Sequence, residues 1–328
     1  MPKLGSAIKD LPGWMFWPTT KAFVMKLITF LRGNTQTGGL CSDGDRVRHL
    51  GRAADLAGEP LDASNMLAII RGGETAIDLV RRLEARAHTF GDALLPAGEV
   101  KLLAPIPRPA KNVFCVGRNY LDHVKEGDRV RGVQTAEELP AFATFFSKPP
   151  TTVVGPGADV RYPVQVTQVL DYEIELAVII GKDGRDIPAE QAFDHIFGYT
   201  ILNDVSGRDL QRQHQQWDKG KSLDTSCPMG PWIVDKAEIG DPRSLELTFT
   251  LNGDRRQNAT VDMMIFDIPT IIAQLSAGMT LEAGDIIATG TPSGVGFAMT
   301  PPAVLKGGDE MVCEISRIGR LVNMVVEV

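Results

Sequence analysis

The sequence predicts an α+β protein in which a small N-terminal α/β unit precedes a larger, mostly β unit. Three observations point there. Residues 75–89 place Ala76, Leu79, Val80 and Leu83 at helical spacing, with arginines on the other face. Residues 171–180 and 197–205 are strand-like runs rich in β-branched and aromatic side chains. Between these signals, Pro105-Ile106-Pro107-Arg108-Pro109 reads as a stiff linker. The expected division is therefore 1–24 as an extension, 25–107 as the small unit and 108–328 as the larger unit.

Composition narrows the function classes. With 43% apolar residues in 328, the chain can bury a sizeable core. The net charge of −7, without any Lys/Arg run, argues against nucleic acid or an anionic membrane as partner. Cys41, Cys115, Cys227 and Cys313 are scattered and form no C-x-x-C pair, the pattern of reduced thiols in a cytoplasmic protein. No apolar run approaches the length of a membrane helix.

Residues 1–24 hold an aromatic stretch, Trp14-Met15-Phe16-Trp17, broken by prolines, and lack the continuous apolar run of a signal peptide. They read as an upstream extension, or else as an arm packing on a partner subunit. Met25-Lys26-Leu27-Ile28-Thr29-Phe30 is the first strand, and Asp43-Gly44-Asp45 signals a turn between two short strands. His49 and His88 are lone histidines with structural or surface roles. Val113-Phe114-Cys115-Val116-Gly117 is a short buried strand. In the helical turn expected after it, Glu126 falls three residues beyond His123, on the same face. A carboxylate beside an imidazole raises its basicity, as a water-activating base requires; a routine surface pair is the alternative. Residues 127–141 read as a mobile loop, and Lys148, at the end of a strand over 145–148, faces either a substrate anion or solvent.

The most informative stretch is 170–221. Along Asp171-Tyr172-Glu173-Ile174-Glu175-Leu176-Ala177-Val178-Ile179-Ile180, Ile174, Leu176 and Val178 share one face, with Glu173 and Glu175 on the other. Two carboxylates that close raise each other's pKa unless a cation neutralises them. A second strand ends on Asp204, and Ser206 is expected to start a helix. Three carboxylates with neither Cys nor His at ligand spacing suit a hard ion, Mg²⁺ or Mn²⁺, rather than Zn²⁺. Spacing alone leaves a solvated acidic sheet face as the alternative.

Further on, Pro188 starts a short helix through His195, which reads as structural. Arg208 and Gln211, three apart on a helix, make a cradle for a carboxylate and a keto oxygen. Residues 213–220 read as loop, and Cys227, before Pro228, as a small buried residue. Residues 245–258 form a hairpin turning at Asn252-Gly253. Residues 268–275 are a helix, with Pro269 in its first turn. Residues 284–296 run from a strand into a Gly-rich loop; with no Lys-Ser/Thr following it, a phosphate loop is excluded, and amides serving as oxyanion donors are expected. Two strands over 311–328 close the chain.

Taken together, Gly117-Arg118-Asn119-Tyr120, Glu173-x-Glu175, Asn203-Asp204-x-Ser206-Gly207-Arg208-Asp209, Lys221-Ser222-x-Asp224-Thr225-Ser226-Cys227-Pro228 and Gly290-Thr291-Pro292-Ser293-Gly294-Val295-Gly296 resemble the fumarylacetoacetate hydrolase family, most of all its acylpyruvate hydrolase branch. The likeness covers about 25–328 and is weak before 105. It implies a mixed β-roll or sandwich catalytic domain with a small N-terminal α/β domain, usually in a homodimer. It implies that Glu173, Glu175 and Asp204 hold Mg²⁺ or Mn²⁺, that His123 and Glu126 activate water, and that Lys221 polarises the substrate. Lys148, Arg208, Gln211 and Thr291 would contact the 2-oxo-acid end. The implied reaction is hydrolysis of a C–C bond in an acylpyruvate or related β-diketo acid. The alternative is an oxaloacetate-type decarboxylase or a 2-oxo-dienoate hydratase or isomerase.

Overall fold

A computed structural model describes residues 24–42, 46–136 and 138–328. Residues 1–23 and the turn signal at Asp43-Gly44-Asp45 lie outside the described residues.

Among the described residues the main sheet has twelve strands. Ten form one path: β1 (Lys26–Arg32), β2 (Thr35–Ser42), β3 (Arg46–His49), β4 (Leu94–Pro96), β5 (Val113–Gly117), β6 (Thr144–Lys148), β7 (Ile174–Ile180), β8 (Ile196–Asn203), β9 (Cys227–Asp235) and β10 (Ile286–Ala288). Their spatial order is β4-β3-β2-β1-β9-β8-β7-β10-β5-β6. Strands β1 to β4 form one side of this sheet, and the central strands β7 and β8 come from the acidic stretch. A separate five-stranded sheet pairs Glu246–Leu251, Asp254–Thr260, Glu310–Ile315, Gly319–Glu327 and Val160–Tyr162.

β7 shows why the layers stack as they do. Every residue from Ile174 to Ile180 is buried. Ile174, Leu176, Val178 and Ile180 pack into one core with Leu247, Phe249 and Ile315 of the five-stranded sheet. Ala177 and Ile179 point the other way, into a second core with Ile69, Ile77, Val80 and Leu83. Those four lie on α2 (Met66–Arg71) and α3 (Gly73–Ala85), which follow α1 (Leu50–Ala57). A central strand thus carries sheet on one face and helices on the other, each large side chain contributing roughly 1.5–3 kcal/mol of burial.

Strands from both sides of the proline-rich segment share this sheet, because β1 pairs antiparallel with β9. An unpaired β1 edge would leave a row of backbone donors and acceptors open to other chains. The segment is packed rather than a free spacer: Ile106 is buried, and Thr29 Oγ1 donates to Pro105 O at 2.6 Å.

Three local expectations need correction. Ser206 does not start a helix. Ser206–Gly207 pairs with Leu170–Asp171, and α5 (Arg208–Gln213) begins afterwards. The expected loop over 127–141 is helical at its start, because α4 (Leu121–Arg131) runs on until Gly132 caps it at φ 66°. The segment 213–220 includes the start of a four-residue helix, Asp218–Lys221. The hairpin forms as expected, with Asn252 and Gly253 at φ 53° and 85° in its turn. Among the described residues no helix is long and apolar enough to cross a membrane.

Candidate active site

The carboxylates meet because of antiparallel register. β7 pairs with β8 so that Ile174 faces Asn203 and Glu175 faces Leu202. The end of β8 therefore lies beside the start of β7, where Asp204 N donates to Glu173 O at 2.8 Å. Asn203 Oδ1 accepts from Glu173 N at 3.0 Å and Gln257 Oε1 from Ile174 N at 3.1 Å, satisfying backbone donors where the ladder ends. One oxygen from each of Glu173, Glu175 and Asp204 lies within 4.8 Å of the others. All three side chains are buried, which removes the solvated-face alternative.

Cations surround the cluster. Lys221 Nζ bridges Glu173 Oε2 at 2.7 Å and Asp204 Oδ2 at 2.6 Å. Arg208 spans Glu173 Oε1, 2.7 Å from Nη2, and Asp171 Oδ2, 3.0 Å from Nε, and its guanidinium lies 4.6 Å from the centre of the Phe297 ring. Burial opposes ionisation of Glu173, but Arg208 and Lys221 outweigh it and hold the carboxyl well below its usual range. For Glu175, burial and then the neighbouring Asp204 and Glu173 charges all push the pKa up. Burial would lower the Lys221 pKa, yet Asp204 and Glu173 raise it.

The donor set fits a hard divalent ion. It is all carboxylate oxygen, and Asp204 Oδ1 is buried without a hydrogen bond, balanced by the Lys148 ammonium 2.8 Å away. Counted as ionised, four carboxylates, Asp171, Glu173, Glu175 and Asp204, meet three cations, Arg208, Lys221 and Lys148, a formal excess of one negative charge that the raised Glu175 pKa relieves until a cation binds.

A cavity of about 370 Å³ opens over Glu173, Glu175, Arg208 and Lys221, and His123, Gln211 and Thr291 also line it. Phe146 and Trp217 form one wall, edge to face at 5.4 Å. Gly117 permits this, since a Cβ there would run into the Trp217 ring. His123 Nδ1 lies 2.9 Å from Glu126 Oε1 on α4, as the spacing suggested. Arg208 Nη1 donates to Gln211 Oε1 at 3.3 Å, so these two do share a face. Thr291 Oγ1 accepts from Gln257 Nε2 at 2.8 Å.

Lys148 sits elsewhere. Fully buried, it donates to Val205 O, Lys221 O and Ser226 Oγ at 3.1, 2.6 and 3.1 Å and does not line the cavity. It stands behind Asp204 as a fixed counter-charge rather than facing a substrate. The Gly-rich loop also departs from expectation. Gly290 N donates to Glu175 Oε2 at 2.7 Å, Gly294 N to Glu126 Oε2 at 2.9 Å, and Gly296 N to Asp171 Oδ1 at 2.8 Å. These amides hold carboxylates, because buried anions need donors more than an empty site does.

Two residues escaped the sequence reading. Asp171, fully buried, holds Arg208 and accepts from Gly296 and Phe297 amides; its position two residues before Glu173 was the available signal. Asn119, also fully buried, donates to Phe266 O and Thr289 O at 3.0 and 2.8 Å and accepts from Phe266 N at 2.8 Å. It ties the turn before α4 to the strand leading into the Gly-rich loop. Arg118, next to it, is exposed at φ 59°, a left-handed conformation that costs a non-glycine residue roughly 1–2 kcal/mol. Cys227, like the other cysteines, is buried and free. His195 Nδ1 lies 2.9 Å from Lys182 O, a structural role.

Residues 112–326 match the family model described as fumarylacetoacetate (FAA) hydrolase C-terminal. The chain belongs to the fumarylacetoacetate hydrolase family. Within that family it is 44% identical over 306 residues to oxaloacetate tautomerase YisK of Bacillus subtilis strain 168, covering 92% of this chain and 100% of the relative. The solved fumarylacetoacetate hydrolase from Exiguobacterium antarcticum matches with a TM-score of 0.76 at 39% identity, covering 93% of this chain and 100% of the other. The 5-carboxymethyl-2-hydroxymuconate delta-isomerase from Mycobacterium smegmatis matches with a TM-score of 0.69 at 30% identity, covering 93% and 99%. The chain is thus an enzyme of this family, acting on small molecules, with a carboxylate triad that could hold a divalent ion. Relatives named as a tautomerase and an isomerase shift the expected chemistry away from C–C hydrolysis and towards the alternative.

Proposed function

We propose that this chain interconverts the enol and keto forms of a 2-oxo acid of the oxaloacetate class. The observation that carries the reading is the match to the Bacillus subtilis oxaloacetate tautomerase over that relative's entire length. Such a reaction moves one proton between the carbon next to the ketone and the carbonyl oxygen. It needs positive charge near that oxygen, a proton carrier at the carbon and a grip on the carboxylate.

Glu173, Glu175 and Asp204 are the residues to hold Mg²⁺ or Mn²⁺, which when bound supplies a Lewis acid for the 2-oxo-carboxylate oxygens. Arg208 and Gln211 orient the carboxylate, helped by the Thr291 hydroxyl. Lys221, paired with two carboxylates at the cavity floor, adds positive charge beside the carbonyl oxygen on which negative charge develops. His123 carries the proton, and Glu126 fixes its ring and tautomer. The wall of Phe146 and Trp217 limits water around the reacting carbon.

Hydrolysis of an acylpyruvate is the second reading, favoured by the same pair: an imidazole bonded to a pinned carboxylate also suits activation of water. The test presents enol-oxaloacetate and acetylpyruvate separately to protein loaded with Mg²⁺. Loss of enol absorbance is followed for the first and pyruvate release for the second. Faster enol loss in the wild type, reduced in His123→Ala, supports tautomerisation. Rapid cleavage of acetylpyruvate, with enol loss no faster than in buffer, would sink it in favour of hydrolysis.

A further inference from the structure

The cavity has two electrostatically distinct regions. Its floor carries Glu173 and Glu175, the only carboxylates among the lining residues, together with Arg208 and Lys221, all buried. Its outer part carries Arg118, Arg131 and Arg212, all exposed. The guanidiniums of Arg118 and Arg131 share a single buried carboxylate. Arg118 Nη2 donates to both oxygens of Asp128 at 3.0 and 3.2 Å, and Arg131 Nη2 donates to Asp128 Oδ1. With Arg212, three positive charges against one negative leave two in excess at the cavity mouth. Among the described residues, no other hydrogen-bond acceptor takes the remaining guanidinium donors of Arg118 and Arg131.

The placement is built rather than incidental. Asp128 is 4% exposed and lies on α4 two residues beyond Glu126, so the helix that carries the His123–Glu126 pair also carries the anchor for both arginines. Arg118 reaches Asp128 from a left-handed backbone position just after β5. Fork-shaped guanidiniums held at fixed angles recognise a carboxylate through paired, charge-assisted hydrogen bonds.

We infer that Arg118 and Arg131, held together by Asp128, form a subsite for a second carboxylate, which makes this chain selective for 2-oxo dicarboxylic acids over their monocarboxylic counterparts. The inference rests on the tautomerase reading, in which the first carboxylate lies at the cavity floor. It gives the outer arginines a positioning task as well: a bound distal carboxylate joins the substrate to α4 and so fixes its distance from His123.

The test compares oxaloacetate with 2-oxobutanoate, which carries a methyl group where oxaloacetate has its second carboxylate. Dissociation constants are measured by calorimetry on the Mn²⁺-loaded protein, with KM and kcat for enol-oxaloacetate in parallel. The wild type should bind oxaloacetate at least about tenfold more tightly. Arg118→Gln and Arg131→Gln should each weaken oxaloacetate binding by roughly 10- to 100-fold, leave 2-oxobutanoate within about twofold, and act on KM more than on kcat. Asp128→Asn should narrow the same gap, with thermal unfolding recorded to separate this from a loss of fold. A wild type that binds both acids equally overturns the inference, as do arginine variants that weaken both acids alike or neither. If the binding gap depends on the arginines but no tautomerisation occurs, the reaction assignment falls and the dicarboxylate subsite stands.

Discussion

Gly294 N donates to Glu126 Oε2 at 2.9 Å, across 168 residues of sequence, and so the Gly-rich loop pins the carboxylate that pairs with His123. The loop is itself held from below: Tyr172 Oη donates to Gly294 O at 3.0 Å while its ring stacks on Phe249 at 4.1 Å. Gly294 has φ 106°, and a Cβ there would collide with Arg256 O, so no other residue fits.

Glu126→Gln keeps the size of this side chain and removes its charge. It should lower kcat by about 10²- to 10⁴-fold, the range for losing a general acid–base partner. Mn²⁺ affinity, measured by calorimetry, should stay at the wild-type value because Glu126 is not in the triad. Gly294→Ala should lower kcat and the midpoint of thermal unfolding together. If Glu126→Gln turns over at the wild-type rate, the pair has no part in proton transfer.

Lys148→Met should destabilise the protein by about 3 kcal/mol in urea unfolding with chelator present. The variant leaves Asp204 Oδ1 buried without its counter-charge and strips a donor from Val205 O and Lys221 O. The estimate sits at the low end for a broken buried pair because Lys221 still neutralises Asp204 Oδ2. An unchanged unfolding midpoint would mean that Asp204 does not depend on Lys148.

Legibility followed the range of the interactions. The alternation of β7 and the Asn252-Gly253 turn rest on neighbours in sequence, and both were readable. So was the His123–Glu126 pair, three residues apart on one helix. Lys148 was not, because its partners Val205, Lys221 and Ser226 come from segments 57, 73 and 78 residues away. Ser206 read as a helix start because its hydroxyl suits an N-cap. The antiparallel bridge to Asp171 claims it first. The loop amides read as oxyanion donors only while their carboxylate partners were out of view.

Chelation should abolish turnover, and Mg²⁺ or Mn²⁺ should restore it. The ion should also raise the unfolding midpoint, since a ligand at 100 times its Kd stabilises the native state by about 2.7 kcal/mol. Glu175→Gln and Asp204→Asn should each remove most of that shift, because both belong to the cluster within 4.8 Å. An equal shift in wild type and both variants would place ion binding somewhere else in the chain.

Asn119 offers the sharpest separation of positioning from chemistry. Its side chain lies away from the cavity lining, yet its three hydrogen bonds join the turn before α4 to Phe266 and Thr289. Thr289 immediately precedes the loop whose Gly290 and Gly294 amides hold Glu175 and Glu126. Asn119→Asp keeps an acceptor for Phe266 N and sets a second oxygen against Phe266 O and Thr289 O, leaving two carbonyls unsatisfied in a buried site. Each such loss costs about 1–3 kcal/mol, so urea unfolding should show a drop of roughly 2–6 kcal/mol. Below the unfolding transition kcat should fall as well, because displacement of either neighbour shifts both the triad and the His123–Glu126 pair. A folded Asn119→Asp protein with full kcat would show that the loop and α4 keep their relative placement without this amide.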